Sequence, residues 1–333
     1  MQGHRLVFRP GMQVEVEEFT VPAPGANEVL VRATCSQVSA GTELNQLRGM
    51  ERSGRRAGYP GYAAVGRVLD VGEGITDFAP GSRVLIMGRH ATHWTVDVTG
   101  SPLQNGYIRK LDDTLTDEQA TFAINGATAL HAVRRARLQI DESVVVFGVG
   151  VVGQLVTALA RLAGAFPVVA VDLVGERLQL ARQSGATHVV NASAEDPVEA
   201  VRDVTSGGAQ CLFHASANPK ILQTVFEAAG QRAKVVMVGS APGTAEIGLQ
   251  VELLRRELHV LGAYELDLEV PHVYWPWTPQ RDRAVVLRRI ADQTLAVDHL
   301  ISHRIPYTQA PEIYARAAAG VEGWLGIILI WDA

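Results

Sequence analysis

Cysteine is scarce in this 333-residue chain, and the two present, Cys35 and Cys211, lie far apart, so no disulfide framework can be built from them. Charge of one sign is also lacking. Thirty Lys and Arg against 35 Asp and Glu leave a net charge of −5, which provides no basic field for nucleic acid or anionic lipid. The opening residues, Met1-Gln2-Gly3-His4-Arg5, show no signal-peptide pattern, which predicts a cytoplasmic protein. There is no internal repeat and no low-complexity tract. Nor is there an unbroken apolar run long enough to cross a membrane. Val144–Val171 comes nearest, but Gly148, Gly150, Gly153, Gly164 and Pro167, with Gln154 and Arg161, break it into strand, turn, helix, turn and strand. What remains is a globular composition, 47% hydrophobic and 20% charged, in a chain long enough for two domains.

Two textures divide it. Up to about residue 120 the sequence reads as short strands and loops, with no helical period of any length. Leu6–Arg9 and Val14–Phe19 flank Pro10-Gly11 as a hairpin, and Val29–Ala33, Tyr62–Val71 and Arg83–Met87 are further strands. Thr116-Asp117-Glu118-Gln119 then has the form of a helix start, a capping residue followed by acidic ones. Beyond it, strands are predicted at Val144–Phe147, Val168–Val171, His188–Val190, Gln210–His214, Lys234–Val238 and His259–Gly262. Helices at Gly153–Ala163, Gly175–Gln183, Asp196–Val204 and Pro219–Ala229 alternate with them, two of them opening on Asp196-Pro197 and Asn218-Pro219. This alternation predicts an α/β fold whose parallel six-stranded sheet is covered on both faces. From about Glu265 the rhythm changes to an aromatic, proline-rich stretch, an amphipathic helix near Asp282–Gln293, a helix at Pro311–Ala319 and a strand at Leu325–Ile330.

Gly148-Val149-Gly150-Val151-Val152-Gly153 follows the first of those strands directly and opens a helix. In a G-x-G-x-x-G turn the first glycine permits the tight bend and the second lets the backbone approach a pyrophosphate. The third lets helix pack on strand, and the helix N–H groups face the phosphates. Asp172 ends the next strand, about 20 residues on, where an acid accepts hydrogen bonds from a ribose 2′-hydroxyl. It would repel a 2′-phosphate, and Leu173 and Val174 after it bring no positive charge, so NAD(H) is expected rather than NADP(H). Leu173, Arg177, Ala215, Gly239 and Ser240 complete the expected cofactor site, since they flank Asp172 or follow later strands at the same sheet edge. For Arg177 a solvated helix residue, and for Gly239-Ser240 a plain loop, are the competing readings.

Five motifs occur in an order that resembles the medium-chain dehydrogenase/reductase superfamily across nearly the whole chain. They are Val38-Ser39-Ala40-Gly41-Thr42-Glu43-Leu44, Gly58-Tyr59-Pro60-Gly61-Tyr62-Ala63-Ala64-Val65-Gly66, Asp77-Phe78-Ala79-Pro80-Gly81-Ser82-Arg83-Val84, Thr128-Ala129-Leu130-His131-Ala132 and the glycine fingerprint. The resemblance implies a β-rich GroES-like catalytic domain of residues 1–124 and 266–333 and a Rossmann NAD-binding domain of residues 125–265. It also implies a homodimer paired through the strand around His259–Ala263. The chain departs from the zinc-dependent relatives: Ala40 stands at one ligand position, Tyr62 at the second, and the third aligns near Ile124. The four-cysteine loop of the structural zinc is missing as well, so no zinc is expected. His90 and His93 have no carboxylate or cysteine close by in sequence to complete a metal site; a loop pair without function is the alternative.

Without a Lewis acid, hydrogen-bond donors must polarise a substrate carbonyl. Thr42 resembles the family's proton-passing hydroxyl, or else caps a helix at Glu43–Arg48. Tyr62 is a phenolic donor or a core tyrosine, and His93 is a third acid–base candidate because imidazole titrates near neutrality. Glu43 matches the acid that sits beside the zinc ligand in the family. Tyr274, Trp275 and Trp277 line a substrate pocket or serve as a packing or subunit-contact loop. These residues point to an NAD(H)-dependent oxidoreductase that interconverts a secondary alcohol (a polyol, cyclitol or similar ring compound) and its ketone. An NAD(P)H-dependent enone or quinone reductase and a catalytically inactive NAD-binding protein of structural or regulatory role are the alternatives.

Overall fold

The buried run Leu6-Val7-Phe8 of β1 (Gln2–Arg9) pairs with the alternating Val14 and Val16 of β2 (Gln13–Thr20) as an antiparallel hairpin, with Leu6 opposite Val16 and Phe8 opposite Val14. The computed structural model describes residues 1–100, 106–265, 275–320 and 323–331. Along the chain follow β3 (Glu28–Val38), α1 (Ala40–Ser53), β4 (Ala64–Val71), β5 (Arg83–Ile86), β6 (His93–Asp97), β7 (Ile108–Lys110) and α2 (Asp117–Ala136). Next come β8 (Val144–Phe147), α3 (Val151–Leu162), β9 (Val168–Asp172), α4 (Gly175–Gln183), β10 (His188–Asn191) and α5 (Pro197–Val204). They are followed by β11 (Ala209–His214), α6 (Leu222–Ala228), β12 (Ala229–Met237) and β13 (His259–Gly262). The last elements are α7 (Pro279–Ala291), β14 (Ile301–Pro306), α8 (Ala310–Ala318) and β15 (Gly326–Ile330). The chain clusters into two units. One comprises Met1–Ile124, Asp267–Gln293 and Ile301–Ala333, the other Asn125–Leu266 and Thr294–Leu300.

The second unit holds a six-stranded sheet in the order β10-β9-β8-β11-β12-β13, parallel throughout. Its central strand β8 is apolar at every position and buried at every position, as a strand covered on both faces must be. Helix α3 buries Leu155, Val156, Leu159 and Ala160, a stripe at helical spacing. Asp196 caps α5 by accepting from the backbone N–H groups of Val198 and Glu199, as its place before Pro197 led us to expect. The order reverses at β8, with β9 on one side and β11 on the other. Such a switch point leaves a crevice at the carboxyl ends of the strands. Strand β12 begins at Ala229, earlier than the expected Lys234, because Ala229 pairs with Ala209 ahead of an irregularity in the ladder.

The first unit holds the β1–β2 hairpin and a seven-stranded, mostly antiparallel sheet in the order β14-β15-β3-β4-β5-β7, with β6 also paired to β3. One core layer includes Val31, Val68, Val84 and Val96, and another gathers Leu6, Phe8, Leu47, Met50, Tyr314 and Trp331. The capping box at the start of α2 is formed in both directions. Thr116 Oγ1 accepts from the Gln119 N–H, and Gln119 Oε1 accepts from the Thr116 N–H.

Helix α1 overturns the expectation of an all-β first segment. Its buried positions are Glu43, Leu47 and Met50, spaced i, i+4, i+7, so the apolar stripe begins with a carboxylate and escapes a hydrophobic period. Gly54, at φ +64°, ends the helix in the left-handed conformation. Strand β14 was not expected either: its apolar positions Ile301 and Ile305 are four apart, and it joins the sheet by parallel pairing with β15. Leu47 is 1% exposed, so Leu47→Ala is expected to cost about 2–5 kcal/mol of stability in denaturant unfolding. A loss within experimental error would mean that α1 does not pack as described.

Candidate functional site

In the second unit three loops converge at the carboxyl edge of the sheet. Gly148 sits at φ +89°, and a Cβ on it would lie 2.8 Å from the Ser216 nitrogen. A Cβ on Gly153 would lie 2.0 Å from the Gly148 oxygen, and one on Gly239 would lie 2.4 Å from the Ser216 oxygen. Gly148 and Gly153 are therefore required by packing. Nothing lies within 4 Å of the Cβ position of Gly150, which leaves the approach to the start of α3 open. That helix begins at Val151 with Gly150 as its N-cap and no side-chain cap bond, so its first N–H groups are left for a ligand. Asp172 Oδ2 accepts from the Val149 N–H at 2.8 Å, and Oδ1 accepts from the N–H groups of Leu173 (2.8 Å) and Val174 (3.0 Å). A carboxylate offers about four lone-pair sites, so one remains for a further donor. Arg177 lies in α4, and its carbonyl accepts from Gln154 Nε2 at 2.8 Å. Ala215 donates its N–H to the Phe147 carbonyl, Leu173 is 66% exposed and Ser240 is exposed. An uncapped helix start, an open glycine and a fixed carboxylate with spare capacity together fit a dinucleotide.

The first unit carries a buried polar network that sequence reasoning had only in part. Glu43, fully buried on α1, accepts through Oε1 from the Ser39 N–H at 2.8 Å. Its Oε2 accepts from the Tyr314 hydroxyl of α8 and lies 3.2 Å from His90 Nε2. His90 Nδ1 is 2.8 Å from Ser36 Oγ, and Trp331 Nε1 donates to that same oxygen at 2.8 Å. An indole N–H only donates, so Ser36 Oγ accepts from it and keeps a second lone pair and its own proton for His90 Nδ1. An ionised Glu43 only accepts, so His90 Nε2 donates to it. Burial works to raise the Glu43 carboxyl, but the charge of His90 and the bonds from His90, Tyr314 and Ser39 outweigh it and hold it below its ordinary value. Burial first, then the Glu43 charge and hydrogen bond and the nearby Tyr62, push the Tyr314 phenol well up. Gly61, at φ +97°, makes room for His90: a Cβ there would lie 2.5 Å from its nitrogen and 2.8 Å from its ring.

No carboxylate lies close to His90 in sequence, and the fold brings Glu43 to it from 47 residues away. The alternative of Thr42 as a helix cap is corrected. The cap position is Ser39, and Thr42 lies half-buried in the first turn of α1. Tyr62 is half-buried rather than sealed in the core, and it precedes β4 instead of opening it. His93 stands apart from the network. Its Nδ1 is 2.9 Å from Thr92 Oγ1, and burial, then the charges of Arg32 and the N-terminus, hold its pKa down. Trp277 lies 4.8 Å beneath the Arg281 guanidinium, Trp275 is half-buried, and Tyr274 falls outside the described residues. The Cys211 thiol is pushed up to about 12 by burial and is no nucleophile.

Zinc asks for four N, S or O donors in tetrahedral array. Ala40 and Ile124 offer no side-chain donor, and no group of three or more His, Cys, Asp or Glu among the described residues is placed to hold an ion. The residues present do not fit a zinc ion. Among the described residues no helix is long and apolar enough to cross a membrane.

A buried carboxylate held below the ordinary value of 4.5 stabilises the fold fully above that pH, and the contribution is lost as pH falls through its folded value. The Tm of Glu43→Gln is therefore expected below that of the parent at pH 7, with the gap narrowing as the pH drops beneath 4.5. A gap independent of pH would contradict an ionised Glu43. His90→Ala, which strands the carboxylate, is expected to cost about 3–5 kcal/mol in denaturant unfolding.

The family model of zinc-binding dehydrogenases matches residues 151–277. L-threonine 3-dehydrogenase of Pyrococcus horikoshii is 26% identical over 95% of this chain and 95% of its own length. Human sorbitol dehydrogenase is 26% identical over 95% of this chain and 92% of its own. The crystal structure of galactitol-1-phosphate dehydrogenase from Escherichia coli superposes with a TM-score of 0.81 at 21% identity, over 98% of this chain and 99% of that one, and bears on the fold. The sequence motifs, the two sheets and these likenesses agree: the chain belongs to the medium-chain dehydrogenase/reductase superfamily.

Proposed function

We propose that this protein is a cytoplasmic, NAD(H)-dependent oxidoreductase that interconverts a secondary alcohol and its ketone, on a polyol, cyclitol or similar ring compound, without zinc. Its relatives' names place their chemistry on hydroxylated carbon, as with threonine and sorbitol. The single observation that carries the reading is the edge of the parallel sheet, where the open Gly150, the uncapped α3 and Asp172 meet. Residues 125–265 serve as the cofactor domain, and residues 1–124 and 266–333 as the catalytic domain. The nicotinamide, when bound, accepts or returns the hydride.

The chain's own residues do the rest. The first-turn N–H groups of α3 take the pyrophosphate, and Asp172 takes the adenosine ribose through its remaining lone pair. Three backbone bonds hold that carboxylate in place, so it cannot swing away from a 2′-phosphate. Thr42 and Tyr62 handle the proton on the substrate oxygen, and His93, kept neutral by its surroundings, stands in reserve as a base. Two chains pair through the edge strand β13, where Val260 is 45% exposed on a strand with one free side.

The test is a nicotinamide absorbance assay with secondary alcohols, polyols and cyclitols in one arm and enones and quinones in the other. Turnover is expected in the first arm, with NAD favoured over NADP by 100-fold or more (about 2.7 kcal/mol), and to persist after chelation. Asp172→Asn should narrow the preference at least tenfold. Thr42→Val or Tyr62→Phe should lower turnover by about 10²–10⁴ where the residue transfers the proton; no change in either removes the assignment. Turnover confined to the second arm makes the protein an enone or quinone reductase, and tight NADH binding with no turnover makes it a binding protein. For the dimer, light scattering should give twice the chain mass, falling to the single mass in Val260→Lys.

A further inference from the structure

A cavity of about 230 Å³ lies within the first unit, beside the loop that carries His90, and neither Glu43, His90, Ser36, Tyr314 nor Trp331 lines it. It is walled by the rings of Phe19, Tyr59 and Trp94, floored by aliphatic side chains, and reached by His93. Two guanidiniums, Arg5 and Arg89, line it, and no carboxylate does. The two differ in what they have left to offer. Arg5 is ion-paired with Glu17 through Nε at 2.8 Å and lies 4.3 Å over the Tyr59 ring and 5.1 Å over Phe19, so its charge is answered and it acts as wall. Arg89 is exposed, lies 5.8 Å from the centre of the Tyr59 ring and donates only to the Tyr59 carbonyl. Among the described residues it meets no carboxylate.

One further feature makes this a built site rather than a surface dent. The Trp94 indole donates to the Arg89 carbonyl at 2.7 Å, which fixes the backbone that carries the guanidinium. The site thus combines aromatic faces with one guanidinium that meets no carboxylate among the described residues. A cavity of about 150 Å³ admits a benzene ring, so this one has room for such a ring with a carboxylate attached.

We propose that this cavity binds a small aromatic carboxylate, its ring against Tyr59 and Trp94 and its carboxylate on Arg89. Guanidinium and carboxylate match as a bidentate pair, and the aromatic walls accept a flat ring but give a hydrated inorganic anion little to hold. The inference does not rest on the hydride-transfer reading, because nothing in it involves the dinucleotide.

Isothermal titration of the full chain, without nicotinamide, with benzoate and with its neutral isostere benzamide tests it. Benzoate is expected to bind at least tenfold tighter than benzamide. Arg89→Gln should remove that preference. Circular dichroism confirms that the variant is folded; Arg89 is exposed, so its exchange leaves the core intact. Equal affinities for the two probes, an Arg89→Gln affinity unchanged from the parent, or no benzoate binding at millimolar concentration each overturn the proposal. None of these results bears on turnover with NAD, so failure here and failure of the oxidoreductase reading are told apart.

Discussion

A carboxylate placed where water cannot reach must be answered by donors from the protein itself, and Glu43 imposes that condition on the first unit. Its donors come from the start of α1, from the loop after β5 and from α8, while Ser36 on β3 and Trp331 after β15 steady the imidazole from behind. These segments are remote in sequence, Tyr314 lying 271 residues from Glu43. A carboxylate with one donor missing carries most of its desolvation cost without the compensation. The hairpin core, α1 and α8 are for that reason coupled through one polar group as well as through the apolar contacts of Leu47, Phe8 and Tyr314.

Asp172 in the second unit obeys the same rule with a different outcome. It too is fixed by N–H donors, which tie the turn after β9 to the turn after β8. Yet it remains partly open to solvent and keeps a lone pair in hand. Glu43 is sealed and positions other residues, whereas Asp172 is ordered and accessible. The contrast lies in what each carboxylate has left over once its own loop is satisfied.

Much of the second unit was legible because parallel strands buried on both faces are written as continuous apolar runs, and Val144–Phe147 is such a run from end to end. Its caps were equally readable, since Asp196 before Pro197 works through local bonds alone. The first unit hid more. Helix α1 was legible only as a short alternative at Glu43–Arg48, because a glutamate occupies the first place on its buried stripe. His90 was set aside as a metal candidate because its partner is close only after folding. Tyr314 gave no signal at all: it looks like any aromatic on an amphipathic helix, and only tertiary structure turns its hydroxyl toward Glu43. The parallel sheet and its turns could be read from local pattern, whereas the buried polar network depends on contacts between distant segments.

Gly61 and His90 bear on the redesign of this protein. The imidazole lies so close to Gly61 that no side chain fits there, and its ring already holds the Glu43 carboxylate. A histidine installed at position 62 as a metal ligand would need an acceptor of its own to fix its tautomer, and the nearest sealed acid is committed elsewhere. Removing His90 to release that acid would destabilise the fold before any ion arrived. Position 61, the imidazole and the carboxylate are therefore linked, and a change at any one of them falls on the other two.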